Sequence, residues 1–347
     1  MTREEYFKTD AVSRSALVAF VEHPSFFLSK GYEKESRALI FGDAFDCLMF
    51  DGKKVLEDRF RFSSIVLPYS DNTNAGKFTD ELIRICKENP EQFQKVQANN
   101  KIEDDLIGVA MEAADINVKS QEKTLQQFND ANAVQYVIDM IDPMCLKSKE
   151  SILLNSMRES LLMSRYAHLF QTYPDGTNHI IDNHMEHFHQ VVVLFDHPLT
   201  GIKLKVMLDI VSVDHSRKRI YKVDLKTTSN ANPQYSLFEY RYDIQAGLYS
   251  MGIEKWRDDN FPGYDCSTGF EFLFVHKSTP SIEPIKVIMS QNDVDTIISG
   301  TPKKYGQYIK NIHTMLSDLK WHMDNDEWSY PKDFILNQGY VAKIYEV

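Results

Sequence analysis

Two short segments, residues 202–213 and 219–226, constrain this chain more than any other part of it. In the first, Ile202, Leu204, Val206, Leu208 and Ile210 alternate with other residues, the period-two signature of a half-buried strand, and Asp209 interrupts its apolar end. The second has Ile220, Val223 and Leu225 as its apolar positions and follows the turn-like Asp214-His215-Ser216-Arg217-Lys218. Two strands joined by so short a turn are most simply antiparallel neighbours. That pairing predicts Asp209 and Asp224 side by side near one edge. Asp224 and Lys226, two apart, share one face of their strand.

Two carboxylates and one ammonium converging in this way suit a divalent cation. Carboxylate oxygens favour Mg²⁺ or Mn²⁺, ions that keep several waters, and a nearby lysine orients such a water or offsets charge developing on a phosphoryl group. A surface hairpin carrying an ordinary ion pair fits the same three residues equally well, so the sequence that follows has to decide. After a Pro-containing loop at 230–233, the run 235–256 places Leu237, Phe238, Ile244, Leu248 and Met251 at helical spacing, and Gln245 and Tyr249 share one face of that helix.

Asp209, then Asp224-Leu225-Lys226, then Gln245-x-x-x-Tyr249, in this order and spacing, resemble the PD-(D/E)XK nuclease superfamily, with the RecB-like branch as the nearest match. Ser13 and Ser15 before Leu17, His23-Pro24, and Phe41-Gly42-Asp43-Ala44-Phe45-Asp46 are similar to the front end of phage and prophage exonucleases of the RecE type (exonuclease VIII). The resemblance implies a restriction-endonuclease-like α/β core, a central mixed sheet flanked by helices, with a helical insertion. It implies Asp46, Asp209, Asp224 and the backbone carbonyl of Leu225 as metal ligands, Lys226 as the group that positions the attacking water, and Gln245 and Tyr249 as orienting residues. Three positions depart from the pattern: the His that ends the family's G-x-x-x-H helix motif is Asp46, the Gly three before the second-motif Asp is Val206, and the acid of the preceding strand falls near Gln190, with Glu186 close by.

The activity so implied is that of a Mg²⁺- or Mn²⁺-dependent deoxyribonuclease, an exonuclease on linear DNA, duplex or single strand, in phage recombination or DNA processing. A homo-oligomer and a single-strand annealing protein enter as partners by analogy. A structure-specific endonuclease and a non-catalytic DNA-binding protein with a nuclease fold stay open as alternatives.

Charge limits how DNA would be held. With 39 basic against 50 acidic residues, a net of -11 argues against a chain-wide electrostatic grip on nucleic acid and leaves a local stripe open. Lys203, Lys205, Arg217, Lys218, Arg219, Lys222 and Lys226 cluster around the proposed site, and Lys203, Lys205, Lys222 and Arg241 are the candidate DNA contacts; a solvated polar face of two strands is the plain alternative. The cysteines, Cys47, Cys86, Cys145 and Cys266, form no C-x-x-C pair and no late trio, which argues against zinc, a disulfide framework and an iron–sulfur cluster. No G-x-x-x-x-G-K-[ST] loop is present, so ATP use is not expected. No run approaches the roughly 18 apolar residues of a membrane span, and the charged start Met1-Thr2-Arg3-Glu4-Glu5 lacks a signal-peptide core. The expectation is a cytoplasmic protein without a membrane partner, in the host cytoplasm if phage-encoded.

Along the chain, residues 1–70 read as N-terminal helices of the nuclease core, 71–150 as a helical insertion, and 151–347 as the core sheet with C-terminal helices, all in one intimately packed unit. Ser13 is the expected N-cap of a helix stopped by Pro24, and Ser36 opens a helix with Asp43 and Asp46 on its polar side. Residues 99–105 and 119–123 read as charged breaks, 151–170 as one amphipathic helix, and 180–195 as a strand whose His184, His187 and His189 are polar-face residues rather than ligands. Strands are expected at 270–275 and 282–289. Ser290 and Asp293 then form a capping box for a helix interrupted at 300–302 and resuming to about residue 323.

Overall fold

The structure, a computed structural model, describes residues 3–29, 36–128, 131–170, 180–181, 184–277, 283–304 and 306–338. It divides into two compact units, residues 1–34 with 159–347, and residues 35–158. Residues 35–70 therefore group with the helices that follow them. Among the described residues no helix is long and apolar enough to cross a membrane.

The first unit is built on a seven-stranded mixed sheet: β1 (Ile180–Ile181), β2 (Met185–Asp196), β3 (Lys203–Asp214), β4 (Arg219–Thr228), β5 (Asp265–Cys266), β6 (Phe270–His276) and β7 (Ile285–Met289). The order is β1-β2-β3-β4-β6-β7, with β5 also on β4. Pairing is antiparallel from β1 to β4 and between β6 and β7, but β4 runs parallel to both β5 and β6. A parallel pair needs a crossover, and here it contains the helix α2 (Tyr242–Asn260), which is preceded in sequence by α1 (Arg14–Glu22). With α3 (Gln291–Ser299) and α4 (Ile312–Asn325), these helices share one core with the sheet, in which Leu17, Leu204, Val206, Leu208, Leu248, Ile297 and Leu316 are buried together. The β3–β4 turn is held by Asp214, whose Oδ1 accepts from the Ser216 and Arg217 amides at 3.0 Å each. Such an Asx-type turn fixes a hairpin without glycine.

Two glycines set how closely α2 is packed. A Cβ on Gly252 would fall inside the contact distance of Val206 Cγ2 and 3.3 Å from Phe195 Cε1, and one on Gly247 would overlap Ile312 Cδ1 and lie 3.1 Å from Ile297 Cγ2. The helix backbone is thus pressed against the sheet on one side and α3 and α4 on the other.

Several boundaries differ from the sequence expectation. The helix capped by Ser13 ends at Glu22, one extended residue short of Pro24 as expected, and Pro24 itself opens a further short helix, Pro24–Leu28, since the first helical turn tolerates a missing N–H. The expected 235–256 helix is two helices, Gln234–Glu239 and α2, separated at Arg241, which adopts a left-handed φ of 51°. Residues 119–123 lie inside the helix Val118–Phe128, whose buried Thr124 and Phe128 anchor an otherwise polar run. The expected 151–170 helix ends at Met163 and continues as a separate 3₁₀ turn, Ala167–Phe170. Positions 1, 2, 30–35, 129, 130, 171–179, 182, 183, 278–282, 305 and 339–347 of the expected segments lie outside the described residues.

In the second unit, the helices Asn74–Glu88, Pro90–Asn99, Asp104–Ala113, Val118–Phe128 and Ala131–Ile141 enclose a core of Phe78, Leu82, Val96, Leu106, Met111, Phe128 and Val137. The helix Arg37–Asp46, capped by Ser36, runs into a π-helical turn at Cys47–Asp51. A two-residue parallel pair joins Arg61–Phe62 to Cys145–Leu146.

Candidate functional site

The β3–β4 ladder runs from Asp214↔Arg219 to Ile210↔Val223 and stops there. Before that point in sequence β3 remains paired to β2, while beyond it β4 continues on β6, so the two strands fork. Continuing the register by one step would set Asp209 opposite Asp224, so the two aspartates stand at the mouth of the fork. Asp209 Oδ2 accepts the Leu225 amide at 2.9 Å. A strand residue turns its N–H and C=O to the same edge, so the Leu225 carbonyl faces the fork as well.

The neighbouring strand is distorted at the same level. Gln190, between the pairs His189↔Ile210 and Val191↔Leu208, has φ of 51° inside β2. On β3 the core-facing side chains are Leu204, Val206 and Leu208, then Val211 and Val213. On β2, Phe195 reaches toward Gly252 of α2, and Phe188 meets Trp256 of the same helix with centroids 5.2 Å apart. The in–out alternation therefore shifts by one residue on both strands at Gln190 and Asp209 while the register between them is unchanged. The uninterrupted alternation expected to Ile210 is broken at Asp209. The shift frees the Asp209 side chain from strict alternation, and Gln190 Nε2 donates to its Oδ1 at 3.3 Å. Glu186, four residues earlier, instead meets His215 Nε2 at 3.1 Å.

Asp224 is 1% exposed and Asp209 7%. Lys226, on the same face as Asp224, forms an ion pair with Asp224 Oδ2, and Gln245 Nε2 donates to Asp224 Oδ1. Burial works against the Lys226 charge, but Asp224, Tyr242 and Asp209 more than offset it and hold the ammonium's pKa above the ordinary lysine range. Lys226 lies over the Tyr242 ring, 5.2 Å from its centroid, and the Arg14 guanidinium lies 5.5 Å from the same ring. Arg14 also donates to the Tyr240 carbonyl. Tyr249 is one turn beyond Gln245; burial, then Tyr6, Asp224 and Asp209, raise its phenol pKa well above the usual value, which keeps it neutral. Two buried carboxylates thus face one ammonium. Burying charge is costly unless it is balanced.

The remaining sequence-selected residues are placed differently. Lys205 donates to the carbonyls of Tyr6 and Thr9, each at 2.9 Å, and lies over the Tyr6 ring, so it ties the N-terminal segment to β3 instead of standing free for phosphate. Lys222 is 2% exposed and cannot belong to a surface stripe. Alternation along β4 turns it inward on the face of Asp224. Arg241 pairs with Asp243 through two contacts, 3.0 and 3.1 Å, while Lys203 is exposed. Asp46 is half-buried at the end of its helix in the second unit, where Asp43 pairs with Arg59 at 2.9 Å. His187 is buried and shares a 2.7 Å hydrogen bond with Ser212, so it is no polar-face residue.

The sequence reading missed Tyr242 and Arg14. Tyr242 stands three residues before Gln245 on α2, a helical spacing that marks it. Arg14 follows the Ser13 N-cap and carries no comparable signal. Among the described residues no group of three or more His, Cys, Asp or Glu side chains is gathered as for a metal ion. The sequence matches no protein-family model and no curated protein.

Proposed function

We propose that the chain is a PD-(D/E)XK nuclease of the RecB-like, RecE-type kind, a Mg²⁺- or Mn²⁺-dependent exonuclease that hydrolyses phosphodiesters of linear DNA in phage recombination or DNA processing. The observation that carries this reading is the fork, where buried Asp209 and Asp224 meet the single ammonium of Lys226. The donor set fits a hydrated divalent ion: two carboxylates and the Leu225 carbonyl offer oxygen ligands, and Mg²⁺ ordinarily takes only one or two carboxylates, filling its octahedron with water and substrate phosphate. The same set is too small for a closed cage. When bound, the ion supplies Lewis-acid polarisation of the phosphoryl oxygen and a more acidic water.

The chain's own residues divide the remaining work. Lys226, kept protonated, cannot serve as a base; its N–H groups orient the attacking water and stabilise charge developing on the phosphorane oxygens. Gln245 holds Asp224 by donating to Oδ1, which leaves Oδ2 directed toward Lys226. Gln190 and the Leu225 amide hold Asp209 from two sides. Pre-orientation of this kind lowers the reorganisation needed at the transition state. Tyr249, a neutral phenol, packs beneath the site near Phe270, with ring centroids 6.2 Å apart.

The test incubates the purified chain with Mg²⁺ or Mn²⁺ and either linear duplex or covalently closed circular DNA. Degradation of the linear substrate alone is expected, and Asp209→Asn should abolish it. Cutting of the closed circle would assign an endonuclease instead, and no hydrolysis of either substrate with either ion would sink the nuclease reading.

A further inference from the structure

Lys222 lies on the face of β4 that carries Asp224 and Lys226, four residues before Lys226. It is 2% exposed, its ammonium donates to the Ser267 carbonyl at 3.2 Å, and among the described residues no carboxylate lies within ion-pair distance. An ammonium offers three donors, so two are left over.

They border a cavity of about 370 Å³. Ser250 from α2 and Ser267 from the loop before β6 also line it, and the Oγ of each is buried without a hydrogen-bond partner among the described residues. Its rim is exposed and of mixed sign, with Arg219 on one side and Glu254 and Asp295 among the acids. Buried hydroxyls normally find partners, and buried ammonium groups normally find counter-charge. Water would satisfy the hydroxyls but bring no negative charge to the ammonium, which has Glu254, Glu271 and Asp295 acting on it and none of them in contact. An oxyanion would satisfy both. The volume is at the small end of the range for ligand sites, about 300–1,000 Å³, and the rim carboxylates can accept hydrogen bonds from hydroxyl or amino groups.

We propose that this cavity binds a small phosphomonoester, its phosphate held by Lys222, Ser250 and Ser267 and its hydroxyl- or amino-bearing remainder turned toward Glu254 and Asp295. The site is separate from the carboxylate fork and does not depend on nuclease activity. It also explains a lysine that the fold buries without an ion pair.

Isothermal titration in EDTA, with inorganic phosphate and with 2′-deoxyadenosine 5′-monophosphate as probes, tests it. Saturable one-to-one binding of at least one probe is expected. Tighter binding of the nucleotide than of inorganic phosphate is expected; equal or tighter binding of inorganic phosphate would overturn the esterified remainder and leave a free-ion site. Lys222→Met, which replaces a buried charge by an apolar chain of similar length, should weaken binding at least ~10-fold, the loss of a hydrogen bond to a charged group. Its Tm should not fall. Should that variant fail to fold, Ser250→Ala with Ser267→Ala probes the same pocket through its hydroxyls, with weaker binding expected and parental binding overturning the proposal. The proposal is also overturned if neither probe binds at millimolar concentration, if Lys222→Met binds as the parent does, or if binding is lost with Lys226→Met and kept with Lys222→Met, which would move the anion to the fork.

Discussion

Gly252→Ala measures how tightly α2 is pressed onto the sheet that presents the fork. In a free helix the exchange would gain about 1 kcal/mol of helix propensity. Here the added methyl meets Val206 Cγ2 inside van der Waals contact and comes within 3.3 Å of Phe195 Cε1. Val206 is fully buried and β-branched, so it cannot swing aside. Overpacking of this kind costs about 1–3 kcal/mol, which leaves a net destabilisation of roughly 0–2 kcal/mol once the propensity is counted. Val206→Ala alone removes two buried methylene equivalents and should cost about 2 kcal/mol. In the double variant the new methyl enters the space that Val206 vacated, so Gly252→Ala becomes stabilising by about 1 kcal/mol on that background. The expected coupling is therefore about 1–3 kcal/mol in favour of the pair. Urea unfolding followed by the fluorescence of Trp256, which lies on α2, gives the four free energies of the cycle. Additivity within about 0.5 kcal/mol would refute the argument, because it would mean that the helix has room to move away.

Lys226→Met should take DNA hydrolysis below detection and also lower the Tm, since it leaves the buried Asp224 without its counter-charge; a parental rate would remove lysine from the mechanism. Asp46→Ala should slow hydrolysis by ~10²-fold, and Asp46→His should restore part of it with a larger ratio of Mn²⁺ to Mg²⁺ activity, whereas an unchanged rate in Mg²⁺ would make Asp46 an ordinary helix residue. His197 shares hydrogen bonds with His313 (2.7 Å) and Thr200 (2.8 Å), and burial together with His313 pushes its pKa down to about 4. Because the unfolded chain then binds the proton more readily, stability is full above the ordinary histidine pKa and declines as pH falls from ~6.5 toward about 4. His197→Gln should flatten that part of a Tm-against-pH curve, and a slope that survives the substitution would assign the effect to other groups.

The hairpin and its acidic pair were legible because two strong local signals agreed: period-two alternation and a turn whose Asp214 closes it through its own side chain. The central mixed sheet with flanking helices was expected from the family resemblance and not from the periodicity of the segments, and the structure has it. What stayed hidden was set by tertiary contact. No residue type announces that Gln190 and Arg241 take positive φ, so neither the shift in alternation at Asp209 nor the break before α2 could be read. The basic stripe failed for a simpler reason: neighbours in a charged run on a strand point to opposite faces, and Lys222 and Lys205 were taken up inside the fold. Charge counted along a sequence does not say which side of a sheet it reaches.

The fork at Asp209 has a second effect, on the solubility of the chain. Where β4 departs, β3 would present unpaired amides and carbonyls, the template on which sheets from separate molecules join. Val12 fills that position: its N–H donates to the Lys203 carbonyl at 2.9 Å, and its carbonyl accepts from the Lys205 amide at 3.0 Å. The Lys205 ammonium fastens the same segment through Tyr6 and Thr9. The segment that carries Tyr6, Thr9 and Val12 thus acts as an edge guard. A chain lacking residues 1–12 should self-associate in light scattering at concentrations where the full chain stays monodisperse, and equal scattering by the two would deny it that role.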